Sequence, residues 1–223
     1  MRKINEITKI NIDDEKYPQD LKQIYDPPKC LYCLGNIKLL NNKRNIAIIG
    51  SRDYSRYGEE VAKKFAYMLA MKGITVVSGG ARGIDSFSHT GAVLAKKETI
   101  MVLGNGLDYI YPPENKELEE KVLENNGLII TEYKIGTKPS KYTFPARNRI
   151  ISAISKGVLL VEAKEKSGAL ITADFALDQG RNVYAVPGDI TRANSVGTNE
   201  LIKQGAKLVT NINDILEDYI CIV

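Results

Sequence analysis

A chain of 223 residues, 43% of them hydrophobic, can fill one sizeable core and lacks the composition of a disordered polymer. Its three cysteines, Cys30, Cys33 and Cys221, are odd in number and too few for a disulfide scaffold, which points to a reducing cytoplasm. The formal net charge of +4 says little about nucleic acid, but its distribution says more: residues 134–149 carry five bases and no acid, whereas the last thirteen residues carry Asp214, Glu217 and Asp218 and no base.

No long apolar run follows Met1-Arg2-Lys3-Ile4-Asn5-Glu6, so neither a secretory signal nor a membrane span is expected. Residues 1–44 read as a short N-terminal extension. Tyr17-Pro18 and Pro27-Pro28 punctuate it and its apolar residues are scattered, which predicts short helices packing on the main domain rather than a sheet unit. A regular alternation then fills residues 45–223. Ile46–Ile49 is a continuous apolar run, typical of a buried parallel strand. Helical spacing follows over 57–72, through Val61, Phe65, Met68 and Leu69, and Gly73 suits its end. Further strands are predicted at 74–77, 100–103, 128–130, 158–161, 183–186 and 208–209. Helices are predicted at 83–95, 114–125, 146–155, 168–179, near 197–204 and at 212–219. Such alternation implies an α/β fold, a parallel sheet with helices on both faces. Its binding loops then share the rim at the carboxyl ends of the strands: 50–57, 78–84, 104–113, 131–146, 162–168 and 187–196.

In the first of these loops Gly50 permits a tight turn, Ser51 offers a hydroxyl, and Arg52 has a planar fork suited to phosphate oxygens. The second, Ser78-Gly79-Gly80-Ala81-Arg82-Gly83-Ile84-Asp85, can turn backbone N–H groups toward an anion. Neither loop carries a dinucleotide fingerprint, and Ser78 stands where a nicotinamide-binding domain favours an acid. Asp85 reads as a helix cap, and His89, the sole histidine, as a hydrogen-bonded structural residue. Asp108, Glu132 and Glu162 also fall on the rim, with no spacing that fixes a mechanism. The sharpest signal is Lys138-Pro139-Ser140-Lys141-Tyr142-Thr143-Phe144-Pro145-Ala146-Arg147-Asn148-Arg149, where bases and aromatics interleave. Lysine and arginine neutralise phosphates while Phe144 or Tyr142 stacks on an unpaired base. Nucleic acid, a small phosphate ligand and a purely scaffolding loop all fit this pattern. Arg147 and Arg149, two residues apart, do not share a helix face, so one is expected toward the ligand and one toward the scaffold. Cys30 and Cys33 form a single C-x2-C pair, which is not a zinc site.

Several longer stretches together resemble the DNA-processing protein A (DprA/Smf) family. They include Ile49-Gly50-Ser51-Arg52, Gly83-Ile84-Asp85 with His89, and Gly106-Leu107-Asp108 with Tyr111-Pro112. The specific ones are Phe144-Pro145-Ala146-Arg147-Asn148-Arg149-Ile150-Ile151 and Lys166-Ser167-Gly168-Ala169-Leu170-Ile171-Thr172; Pro187-Gly188 and Gly197-Thr198-Asn199 follow. The resemblance runs over about residues 15–210. It implies an extended Rossmann-like domain that binds single-stranded DNA without strong sequence preference and without a chemical step. It also implies loading of the RecA recombinase during natural transformation, and a homodimer. No cofactor is implied. The family's phosphate-binding arginine matches Arg52, and its basic and aromatic loop residues match Lys141 and Phe144. Ser51, Gly80, Gly83, Asn105 and Arg147 match other parts of that pocket. Two positions depart from the family pattern: Gly80 stands where leucine is frequent, and Asn105 where glycine or cysteine is common. The rival reading is a nucleotide N-glycosidic hydrolase using Glu132 or Glu162, or a small-ligand sensor on the same fold.

Overall fold

The computed structural model describes residues 6–219; Met1–Asn5 and Cys221 lie outside the described residues. Seven parallel strands occupy the predicted positions to within one residue: β3 (Asn45–Ile49), β4 (Thr75–Ser78), β5 (Thr99–Val102), β6 (Leu128–Thr131), β7 (Gly157–Leu160), β8 (Asn182–Ala185) and β9 (Lys207–Leu208). They belong to one nine-stranded sheet. Its other two members are β1 (Thr8–Asn11) and β2 (Cys30–Gly35), which come from the N-terminal extension. The expectation of helices in place of a sheet unit there is therefore corrected. β2 runs antiparallel to β6, with Cys33 opposite Ile130, and β1 runs antiparallel to β2. Leu31 and Cys33 point into the core from β2 as a period-2 pair. The addition covers the edge that β6 would otherwise expose.

The sheet order is β1-β2-β6-β5-β4-β3-β7-β8-β9. The chain steps outward from β3 to β6, then returns past β3 to lay down β7 on its other side. The order thus reverses between β3 and β7, and loops leaving adjacent strands in opposite directions leave a crevice there.

Both sheet faces are covered, which explains why the strands read as unbroken apolar runs. In β3, Ala47 and Ile49 face one way and Ile46 and Ile48 the other. The first face packs against α5 (Thr143–Ala153), α6 (Gly168–Asp178), α7 (Val196–Lys203) and, through Leu21, α1 (Gln19–Lys22). The second packs against α2 (Arg56–Met71), α3 (Ile84–Leu94) and α8 (Asn213–Leu216). Val122 of α4 (Lys116–Glu124) joins a third cluster with Met101 and Ile129. In α2 the buried residues Ala62, Phe65, Ala66, Leu69 and Ala70 repeat at helical spacing and form one stripe. Ser55 caps that helix by accepting the Gly58 N–H at 3.1 Å.

One boundary shift matters for the site. α5 starts at Thr143, three residues ahead of the predicted helix, so Phe144 and Pro145 ride on a helix rather than a loop. Pro145 sits in the first turn, where its missing N–H costs nothing. Ser140 and Thr143 bond reciprocally ahead of it, Thr143 N–H to the Ser140 hydroxyl at 3.2 Å and Ser140 N–H to the Thr143 hydroxyl at 3.1 Å.

Candidate functional site

A cavity of about 450 Å³ opens at the crevice between β3 and β7. The loop after β3, the glycine-rich loop after β4, and the first turns of α5 and α6 line it.

The loop after β3 is fastened at both ends. Ser51 N–H donates to the Glu162 carbonyl at 2.8 Å, and Ile84 N–H donates to the Ser51 carbonyl at 3.2 Å. The buried Glu162 carboxylate accepts from the Ser55 N–H at 2.9 Å and from the Ser55 hydroxyl. Lys164 pairs with Asp53 at 2.5 Å, and Asn194 donates to the Asp53 carbonyl at 2.7 Å. Between these ties Arg52 is exposed, and among the described residues no hydrogen bond or ion pair holds its guanidinium. Its one close partner is the Phe144 ring, 5.3 Å from guanidinium carbon to centroid. Lys141 is likewise exposed at the cavity, with its ammonium 5.1 Å from the Tyr142 ring.

The floor is built from spent polar groups. Arg147 is 3% exposed and donates through Nη1 to the Gly79 carbonyl at 2.5 Å and to the Val102 carbonyl. It therefore joins the ends of β4 and β5 to α5. Burial holds its pKa down to about 10. Gly79 is obligatory here, because a Cβ would meet the guanidinium at 2.4 Å. Asp85 accepts the Gly79 N–H at 3.2 Å and the Ala81 N–H at 3.4 Å. Burial raises its carboxyl pKa, while Arg147 pulls the other way. Asp85 thus pins the glycine loop instead of capping α3, whose N-cap is Gly83. At Gly83 φ is +80° and a Cβ would strike the Ser51 carbonyl at 2.4 Å, so only glycine lets the two loops touch. His89 is fully buried, bonds Thr99 at 2.8 Å through Nδ1, and is pushed down to about 3 by burial. It is the structural histidine that the sequence suggested.

Other predicted residues take places different from those expected. Gly80 is buried against Met101 and does not line the cavity. Asn105 is fully buried and donates to the Gly106 and Tyr109 carbonyls at 3.0 and 2.9 Å, so it shapes its own turn. Ser51 lines the cavity, but its hydroxyl donates to the Asp53 carbonyl at 2.7 Å. Of the two arginines expected to point apart, both are buried. Arg149 makes a two-pronged bond to Glu132 at 2.6 and 2.7 Å and donates to the Asp26 carbonyl at 2.8 Å, which clamps the N-terminal extension to α5. Glu132 and Glu162, the acids of the hydrolase reading, are thus both engaged in structural contacts. Asp108 receives the Gly136 N–H at 3.0 Å. Among the described residues no group of three or more His, Cys, Asp and Glu side chains is placed to hold a metal ion.

Sequence reasoning passed over the start of α6 and the second wall. Ser167, Gly168 and Ala169 line the cavity, and a smaller adjoining hollow is bounded by Arg82, Tyr111 and Pro112. The Lys166-Ser167-Gly168 stretch carries a signal, as part of the specific run that resembles the DprA/Smf family.

A family model described as DNA recombination-mediator protein A matches residues 8–220. The chain is 44% identical over 212 residues to the DNA processing protein DprA of Bacillus subtilis (strain 168), covering 95% of this chain and 71% of that protein. DNA processing protein A from Streptococcus pneumoniae superposes with a TM-score of 0.89 at 41% identity, over 95% of this chain and 74% of that one. DNA processing protein A from Helicobacter pylori, described by its single-stranded DNA binding mode, superposes at 0.86 and 33% identity over 96% and 95%. Sequence, fold and matched length agree, and the chain belongs to the DNA recombination-mediator protein A family of DprA/Smf proteins.

Proposed function

We propose that this protein binds single-stranded DNA at the crevice between β3 and β7, does so without a chemical step, and loads the RecA recombinase onto the bound strand in transformation or recombination. The observation that carries the DNA reading is the pairing of Arg52 with Phe144 at the cavity mouth: an exposed cation without a carboxylate partner, held against an aromatic ring. A phosphate meets the Arg52 fork and the Lys141 ammonium, and a base stacks on Phe144. Arg147, Ser51, Gly80, Gly83 and Asn105 hold the loops that place those groups.

The RecA step draws its support from the family's description as recombination mediators. A homodimer, which the family resemblance implies, sets two cavities on one strand and multiplies affinity through effective concentration. A cytoplasmic place belongs to the same reading; no described helix is long and apolar enough to cross a membrane. The structural engagement of Glu132 and Glu162 favours binding over hydrolysis.

Fluorescence anisotropy of labelled poly-dT, against matched duplex at several salt concentrations, tests the proposal. Binding prefers the single strand and weakens by about 0.7 log units per log unit of salt for each phosphate neutralised. Arg52→Ala folds normally and loses at least about tenfold in affinity. Wild-type binding that is absent or indifferent to duplex, or release of free base from nucleoside monophosphates, overturns it.

A further inference from the structure

The second hollow, about 400 Å³, shares Arg52, Asp53, Ala81 and Phe144 with the first and continues past them to Arg82, Tyr111 and Pro112. Its aromatic wall is Tyr111, 45% exposed, whose ring lies 5.6 Å from that of Phe144 at an interplanar angle of 38°. The two rings make one continuous platform across the boundary between the hollows. Its charge is set by two ion pairs and one unpaired cation. Arg52 stands at the shared edge with no ion pair among the described residues. Asp53 is neutralised by Lys164 at 2.5 Å. Arg82 pairs with Glu114, with side chains 66% and 47% exposed. An ion pair in water is weak, so a phosphate can replace Glu114 on Arg82 at little cost.

We infer that this hollow is a second nucleotide subsite, in which the base next to the one on Phe144 stacks on Tyr111, and the phosphate joining the two nucleotides lies between Arg52 and Arg82. The inference rests on the single-stranded DNA reading of the first cavity and extends it. It explains why an aromatic residue is left exposed on a loop otherwise held inward by the buried Pro112. It also gives Glu114 a role as a resident competitor: the carboxylate occupies Arg82 until DNA arrives.

The test is anisotropy of labelled poly-dT with wild type, Tyr111→Ala, Tyr111→Phe and Glu114→Gln, with far-ultraviolet circular dichroism as the control for folding. Tyr111→Ala weakens binding by about tenfold, the size of one lost base–aromatic stack, and Tyr111→Phe restores it. Glu114→Gln moves the other way and tightens binding by about threefold at low salt, because it frees Arg82. That gain cannot come from misfolding. Wild-type affinity in both Tyr111→Ala and Glu114→Gln overturns the subsite while leaving the first cavity's reading intact. Failure of wild type itself to bind poly-dT overturns both.

Discussion

Arg52 and Arg147 border one cavity and approach one ring, at 5.3 and 6.0 Å from the Phe144 centroid, yet their surroundings are opposite. Arg52 projects from a loop that others hold rigid, and its donors are unspent. Arg147 is buried, with Nη1 bonded to the Gly79 and Val102 carbonyls and Nε to the Asn148 side-chain oxygen. The difference shows how a cationic cavity is made. A buried guanidinium bonded to carbonyls fixes shape and has little left for a ligand. A guanidinium meant for a ligand must be positioned through its backbone, with its head left in water. In the single-stranded DNA reading proposed above, Arg147 positions the loops and Arg52 meets the phosphate.

The sharpest way to break this distinction is Arg147→Ala. It removes a side chain that bridges the ends of β4 and β5 to α5 and leaves a void beneath the glycine loop. Stability to urea falls by about 3 kcal/mol, as for other buried polar groups deprived of a partner. Arg147→Lys recovers part of that loss, since both carbonyls bond the one nitrogen Nη1, which an ammonium can stand in for, while the Nε bond to Asn148 is lost. Arg52→Ala, by contrast, leaves the urea midpoint where it was. A wild-type midpoint in Arg147→Ala would abolish the contrast between floor and tip.

Lys141→Ala is the gentler test from the exposed side. Lys141 lies at the cavity and no carboxylate holds it among the described residues. Its removal lowers the salt dependence of poly-dT binding by about 0.7 in the log–log slope, one phosphate's worth, with no change in unfolding. An unchanged slope with weaker binding would make Lys141 a packing residue instead of a charge.

Much of the frame was legible because burial on both faces writes a strand as an unbroken apolar run, as in Ile46–Ile49 and Leu128–Ile130. The rim loops followed from the alternation. β1 and β2 were missed because they are short and separated by the proline-punctuated stretch from Pro18 to Pro28, and because the partner of β2, β6, comes about a hundred residues later. The start of α5 was misplaced because the Ser140–Thr143 bonds that lead into it stand ahead of a proline that reads as loop stiffness. Arg52, Lys141 and Phe144 were recognisable by type and company. The burial of Arg147 and Arg149 was not, since it depends on carbonyls and a carboxylate from distant parts of the chain, and a one-dimensional pattern does not carry those approaches.

The proposed binding mode also separates the two rings of the basic stretch, and predicts the smallest effect. Spacing alone left Tyr142 and Phe144 equivalent. Phe144 lies in the cavity wall, touched by Arg52, with Gly104 beneath it where a Cβ would stand 3.0 Å from the ring. Tyr142 is 74% exposed, lies outside the cavity, and contacts the ammonium of Lys141. That contact is an exposed cation–π pair, which is weak in water. Tyr142→Ala therefore lowers poly-dT affinity by no more than about threefold, through looser placement of Lys141, and leaves the salt slope unchanged. A tenfold loss would move the stacking platform from Phe144 to Tyr142 and carry the bound strand out of the crevice onto the outer surface of the loop.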